Sequence, residues 1–360
     1  MSSQFQYVLW FEECNKSMLP LTGGKNANLG ELVHAGIPVP PGFAVTSRAF
    51  EQFMKQTELW ADVKKLLTDI SSPKEIKKVV KAGKAIRLAI LSTPIPKKIQ
   101  KEIIAAYKIL CEKCKAVNLP VAVRSSATAE DLEDASFAGQ QDTYLWIWGD
   151  DQVIEATHRC WASLFTDRAI IYRMKAGFPQ DEVLISVGIQ KMVNSRSAGV
   201  MFTLDPVTGD ESKITIEANF GFGESIVQGM VSPDYFIIQK NSMTISQSII
   251  GEKEEQFVAK DCGTIVVPVP LNQQKIPCIS AREVNEIAKM GINIEKHYKA
   301  PQDIEWAIDE DLLFPDNIFS TQSRPVTATG KKEISENILK EKGKDDKDHI
   351  IDLMLQGFGK

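Results

Sequence analysis

Apolar positions along the chain change their period twice. From 47 to 118 they recur three and four residues apart, in SRAFEQFMKQ, ADVKKLLTDI and PKKIQKEIIAAYKILCEKCKAV. That spacing predicts amphipathic helices forming a helical insertion or cap. Breaks fall at Ser71-Ser72-Pro73 and at Thr93, Pro94 and Pro96. Ahead of this block, NANLGELVHAG offers a short helical face of Leu29, Leu32 and Val33, stopped by Gly36, and IPVPPGFAVT is proline-rich and then strand-like. The period shifts at 119: a β run at Val121-Ala122-Val123, an acidic loop TAEDLEDASFAGQQD and an apolar strand TYLWIW precede a helical stretch over 151–175. From 182 to 330 alternation dominates, in EVLISVGIQKMV, SAGVMFTL, KITIEANF and DYFIIQK. One helix over 281–298 interrupts it, and two strands, IEWAID and NIFSTQSRPV, follow. The pattern predicts an α+β protein with a boundary near 185–195, ending in a charge-rich tail with one or two marginal helices.

Composition narrows the class. The 360 residues leave room for two or three domains, and 43% hydrophobic with 25% charged residues suits a globular core. A net charge of -5 without a concentrated basic face argues against a nucleic-acid partner. No apolar run approaches the roughly 20 residues of a membrane span. The opening MSSQFQYVLWFEEC lacks the basic start and apolar core of a signal peptide. Six cysteines include one CxxC pair, Cys111 and Cys114, in a helical context with no second pair to complete a zinc site. This scattered usage fits reduced thiols and a cytoplasmic location.

Four stretches carry candidate chemistry. In Gly23-Gly24-Lys25 two glycines let backbone N–H groups approach a phosphate, and a lysine and a helix start follow. The stretch is no Walker A loop, and the same residues also make an ordinary helix-start turn. Arg124 ends a short apolar strand, where its planar fork suits phosphate oxygens or a salt bridge. Ser136-Phe137-Ala138-Gly139-Gln140 is a small, polar, glycine-bearing loop that could close over phosphates or simply form a hairpin tip. Near the end, Glu305 lies in DIEWAID and Gln322 and Arg324 lie on one face of STQSRP. Carboxylate and amide oxygens are hard ligands for Mg²⁺, and an arginine stabilises charge on a transferring phosphoryl group. A paired Glu–Arg on a solvated sheet is the plainer reading.

The fourth stretch, Glu217-Ala218-Asn219-Phe220-Gly221-Phe222-Gly223-Glu224, ends a strand in a glycine-bracketed loop. Gln190-Lys191-Met192-Val193 ends another strand at the suspected junction, where backbone groups can meet a base and Met192 and Val193 can wall it or fill a core. The histidines, His34, His158, His297 and His349, show no metal-ligand spacing and read as structural or solvated.

GGKNANLGEL, IPVPPGFAVT, VAVRSSATAEDLEDASFAGQQDT, IQKMV, SAGVMFTLDPVTGD, EANFGFGESIVQG, VSPDY, DIEWA and QSRP occur in this order. The set resembles the N-terminal ATP-grasp domain of phosphoenolpyruvate synthase, pyruvate phosphate dikinase and rifampicin phosphotransferase over about 5–328. The resemblance implies an ATP-grasp fold with ATP·Mg²⁺ between two lobes, 1–188 with the insertion at about 47–118 and 189–328, before a charged tail at 329–360. It implies that Lys25, Arg124 and Arg324 meet phosphates and that Ser136, Phe137, Ala138, Gly139 and Gln140 cover them. Gln190, Met192 and Val193 would meet the adenine, Glu217 would lie near the ribose, and Glu305 and Gln322 would hold Mg²⁺.

Family members continue into a mobile domain whose histidine carries phosphate, and no histidine here lies in a Ser-His-Ala-type setting. The resemblance therefore implies a separate partner subunit with a phosphohistidine domain and an acceptor site. The chain looks most like the ATP-grasp subunit of phenylphosphate synthase, passing the β-phosphoryl of ATP to the partner's histidine for a phenolic acceptor. Two alternatives stand beside it. One is a subunit of a split phosphoenolpyruvate synthase or antibiotic phosphotransferase, and the other is a non-catalytic ATP-sensing subunit.

Overall fold

The computed structural model describes residues 6–128, 131–132, 135–136 and 142–326. Two compact units divide the described residues, one within 6–194 with 259–265 and 319–323, the other of 195–258, 266–318 and 324–326. Helices and strands are mixed throughout, so the α+β expectation holds.

The first unit opens with β1 (Val8–Trp10), α1 (Leu19–His34) and β2 (Gly42–Val45). Four helices fill the predicted helical block: α2 (Ser47–Gln56), α3 (Leu59–Leu67), α4 (Ile76–Ser92) and α5 (Lys97–Lys113). Then come β3 (Val121–Ala127), the two-residue strands β4 (Asp131–Leu132) and β5 (Ala135–Ser136), and β6 (Thr143–Ile147). Helices α6 (Asp150–Ser163) and α7 (Asp167–Ala176) lead to β7 (Ile185–Lys191). Five strands pair antiparallel in the order β1-β2-β7-β3-β6. Because side chains alternate across a strand, Val121, Val123, Val187 and Ile189 join the helices in one core with Phe50, Phe53 and Trp161. The row neighbours Arg124 and Gly188, and Ser126 and Ser186, share the opposite face. Helix α1 packs on β3 and β7.

Helix α1 differs from its sequence expectation. It begins at Leu19, with Pro20 in its first turn, ahead of the glycines. Proline is pre-organised there and has no N–H to leave unpaired. Gly23 interrupts the helix at φ 69°, ψ 169°, a conformation that suits glycine. A Cβ on Gly23 would stand 2.2 Å from the carbonyl oxygen of Ser126.

The second unit contains β8 (Ser195–Phe202), β9 (Lys213–Phe220), the single turn α8 (Glu224–Val227), β10 (Asp234–Gln239) and β11 (Thr244–Ile249). A hairpin, β12 (Glu255–Ala259) with β13 (Thr264–Pro268), and the short α9 (Leu271–Gln274) precede α10 (Ala281–Tyr298). Strand β14 (Gln302–Asp309) completes a sheet of order β11-β10-β9-β8-β14, and of β15 (Ile318–Pro325) the residues 319–323 count with the first unit. Helix α10 starts on a capping box, in which the Ser280 hydroxyl accepts from the Glu283 N–H and the Glu283 carboxylate accepts from the Ser280 N–H. It packs against β8, β9 and β14, the face that carries buried Met201, Ile216 and Ile304. The other face keeps polar residues, described below.

A charge pair is sealed inside this unit. Lys253 Nζ lies 2.5 Å from Asp234 Oδ1, and both side chains are fully buried. Asp234 also accepts from the N–H groups of Gly251 and Cys278, and Lys253 donates to the Gly251 carbonyl. One aspartate thus joins β10 to the segments leading into β12 and α10. Among the described residues no helix is long and apolar enough to cross a membrane.

Candidate functional site

On the α1 face of the first unit's sheet, the sequence candidates Lys25, Arg124, Gln190 and Gln322 line one pocket with Asn26, Gly188 and Thr321. Lys25 Nζ donates to the Ser125 carbonyl at 3.1 Å. Arg124 donates through Nη1 to the Thr321 carbonyl at 2.8 Å and through Nη2 to Gln322 Oε1 at 3.1 Å. The amide oxygen considered for magnesium is therefore an arginine acceptor in this state. Gln190 is buried, two residues from Gly188 on the same face, and its amide donates to the Pro40 carbonyl at 3.2 Å. Lysine and arginine side chains on one pocket lining are chemistry for an anion.

Met192 and Val193 follow β7. The Met192 N–H is used by the Pro120 carbonyl at 2.8 Å, and the Lys191 N–H by Pro41, so these two donors already have acceptors. Val193 is buried. Ser136 lies in β5, whose backbone pairs with Asp131 of β4. Phe137, Ala138, Gly139 and Gln140 lie outside the described residues, as does the tail expected from 329.

In the second unit Glu217, Glu305 and Arg324 gather around a residue the sequence reading passed over, Asp303. Strand register puts Glu305 opposite Val200, Val200 opposite Glu217, and Glu217 opposite Tyr235, so these four form one row across β14, β8, β9 and β10. Residues directly opposite in antiparallel pairs share a face. Asp303 stands two residues from Glu305 on that face. Its Oδ2 accepts from Arg324 Nε at 2.8 Å and lies 2.7 Å from Nη2.

Burial raises the Glu217 carboxyl above its ordinary range, and the charge of Asp303 adds to the rise. Burial also raises Asp303; Arg324 pulls it down and Glu305 pushes it up, leaving it net raised. The Tyr235 phenol is pushed up to about 12, first by burial and then by Asp205 and Glu217. The plain alternative of a Glu–Arg pair thus takes another form, with Asp303 as the arginine's partner. Asp303 was findable, because alternation alone sets it beside Glu305 in DIEWAID. Asn26 carried no such signal; its packing against Gly188 joins positions distant in sequence.

Two of the histidines make contacts within the first unit. His34 Nε2 sits 2.8 Å from the Glu12 carbonyl. His158 packs edge-on against Phe53, and burial lowers its pKa. All six cysteines are free thiols, with Cys111 buried in α5.

The chain belongs to the pyruvate phosphate dikinase, AMP/ATP-binding domain family, whose model matches residues 19–345. It is 43% identical over 366 residues to a probable phosphoenolpyruvate synthase of Staphylothermus marinus, covering 94% of this chain and 44% of that protein. It is 41% identical over 370 residues to the phosphoenolpyruvate synthase of Pyrococcus furiosus, covering 92% of this chain and 45% of the relative. A probable phosphoenolpyruvate synthase of Methanocaldococcus jannaschii is 40% identical over 355 residues, or 98% of this chain and 29% of its own length. The chain spans less than half the length of these curated relatives. Their shared name favours the phosphoenolpyruvate synthase alternative over the phenolic one.

Proposed function

We propose that this chain is the ATP-grasp, ATP-binding part of a phosphoenolpyruvate synthase-type phosphotransferase, with lobes of about 1–188 and 189–328 around the nucleotide. One observation carries the reading: Lys25, Arg124, Gln190 and Gln322, drawn from four separate sequence motifs, line a single pocket. The family match and the relatives' names support the substrate class.

In this reading Lys25 and Arg124 bind phosphate oxygens, replacing their present acceptors, the Ser125 and Thr321 carbonyls and Gln322 Oε1. The loop from Ser136 to Gln140 covers the phosphates. Gln190, Met192 and Val193 meet the base, and Glu217 meets the ribose. Arg324 stabilises charge on the transferring group, held in place by Asp303. Glu305 and Gln322 offer hard oxygen ligands that fit Mg²⁺, which neutralises phosphate charge when bound.

The β-phosphoryl passes to a histidine nitrogen of a carrier domain on a partner subunit, water takes the γ-phosphoryl, and AMP and inorganic phosphate leave. The carrier then serves a small acceptor, pyruvate by the relatives' name. Protein groups here contribute positioning and charge stabilisation.

The test combines the chain with Mg²⁺, ATP and a carrier domain from a full-length relative, and follows nucleotides by ion-exchange chromatography. AMP and phosphate should appear with labelled histidine on the carrier. ADP as the only product would remove the dikinase-type reading.

A further inference from the structure

Asn26 follows Lys25 and is almost wholly buried, at 1% exposure. The break at Gly23 leaves the Thr22 carbonyl to accept from side chains. Asn26 Nδ2 donates to it at 3.0 Å and to Ser186 Oγ at 3.1 Å. The Ser126 hydroxyl donates to the same carbonyl at 3.0 Å and lies 3.3 Å from the Asn26 N–H. Ser186 donates onward to the Val45 carbonyl at 2.8 Å. One amide nitrogen thus bridges the helix break and ties α1 to β7.

The amide oxygen is closely packed. A Cβ on Gly188 would stand 2.3 Å from Asn26 Oδ1, so Asn26 occupies the room this glycine leaves. Gly188 is the row neighbour of Arg124, and both line the pocket with Lys25. A satisfied core asparagine could rest anywhere in a fold. This one fixes the rotation of the helix just after its break, and one residue of helix is about 100° of rotation. A slip of that size would carry Lys25 away from the Arg124 row. Serine is too short to span both acceptors, and aspartate has no donor to offer them.

We infer that Asn26 is a positioning residue for Lys25, acting through its lock with Gly188. The inference rests on the reading of Lys25 as a phosphate-binding group.

The experiment measures Mg·ATP affinity by calorimetry and thermal unfolding for the full chain and for Lys25→Met, Asn26→Ala, Gly188→Ala and the Asn26→Ala/Gly188→Ala pair. Asn26→Ala should weaken ATP binding about tenfold, the scale of one lost hydrogen bond. Gly188→Ala should be strongly destabilised, because its methyl collides with Asn26. In the double variant the methyl takes the vacated space, so thermal stability should return to that of Asn26→Ala or above, while ATP affinity stays low. A purely structural asparagine would regain affinity together with stability, which would overturn the inference. So would ATP binding by Asn26→Ala equal to wild type while Lys25→Met has lost it; the functional reading would then survive alone. If the wild-type chain binds no ATP, both fail. Should the paired variant not fold, Asn26→Ser is read by the acylation rate of Lys25 relative to Lys113, mapped by mass spectrometry. Lys25 should become severalfold more reactive as its hold loosens, and an unchanged ratio in a folded variant counts against the inference.

Discussion

The two units handle charge in opposite ways. In the first, the bonds described for Lys25 and Arg124 end on neutral oxygens: the carbonyls of Ser125 and Thr321 and the amide of Gln322. A neutral acceptor orients a cation at the pocket that both side chains line. In the second, carboxylates are set close together, Arg324 is committed to Asp303, and Glu217 and Asp303 are both raised by burial. There Arg324 with Asp303, and Lys253 with Asp234, balance each other inside the protein, and removing one member of a pair exposes the other. The described bonds of the first unit orient cations at a pocket, whereas the ion pairs of the second hold buried charge within the fold.

The comparison can be broken from either side. The largest effect is expected at the buried pair, where Lys253→Met leaves Asp234 charged and sealed. Breaking such a pair costs about 3–5 kcal/mol, so urea unfolding of the variant should move far to lower concentration. A midpoint close to wild type would mean the second unit does not rely on internal charge balance. In the first unit Lys25→Met or Arg124→Ala should leave unfolding within about 1 kcal/mol of wild type yet cut AMP formation about 10²–10³-fold, the range for lost transition-state donors. Equal losses of stability and activity would erase the contrast between the units.

A smaller effect is expected at Glu217, with a sign fixed by its raised pKa. Burial disfavours its charged form, so its stability cost is absent well below the unfolded pKa and grows as pH rises through the folded one. Glu217→Gln should therefore unfold a few degrees higher than wild type at neutral pH. The difference should shrink as pH falls through the carboxylate range. Scanning calorimetry across that range checks this, and a destabilised glutamine variant at neutral pH would reverse the sign of the argument.

Much of this was legible in the sequence. Three of the four helices of 47–118, α2, α3 and α5, follow from apolar spacing, and the start of α10 follows from Ser280 and Glu283, a capping box three residues apart. Arg124 at the end of an apolar run was an anion candidate for a local reason. What stayed hidden was not local. Strand β11, TISQSI, is exposed and polar enough to show no buried face, and β1 is three residues held by pairing with β2. The true start of α1 was obscured because Gly23-Gly24 reads as a boundary, while the chain bends there and stays helical on both sides. That Gln322 accepts from Arg124 depends on two distant segments meeting, which no periodicity reports.

The buried pair of Asp234 and Lys253 also bears on how this sequence can change over time. An apolar pair of similar volume could fill the same space without loss. Reaching it by single substitutions means passing through a chain with one sealed, unbalanced charge, at a cost of about 3–5 kcal/mol against a total margin of about 5–15. The two positions are therefore expected to be kept together or exchanged together among descendants of this chain. A lineage that has lost the lysine should almost always have lost the aspartate as well.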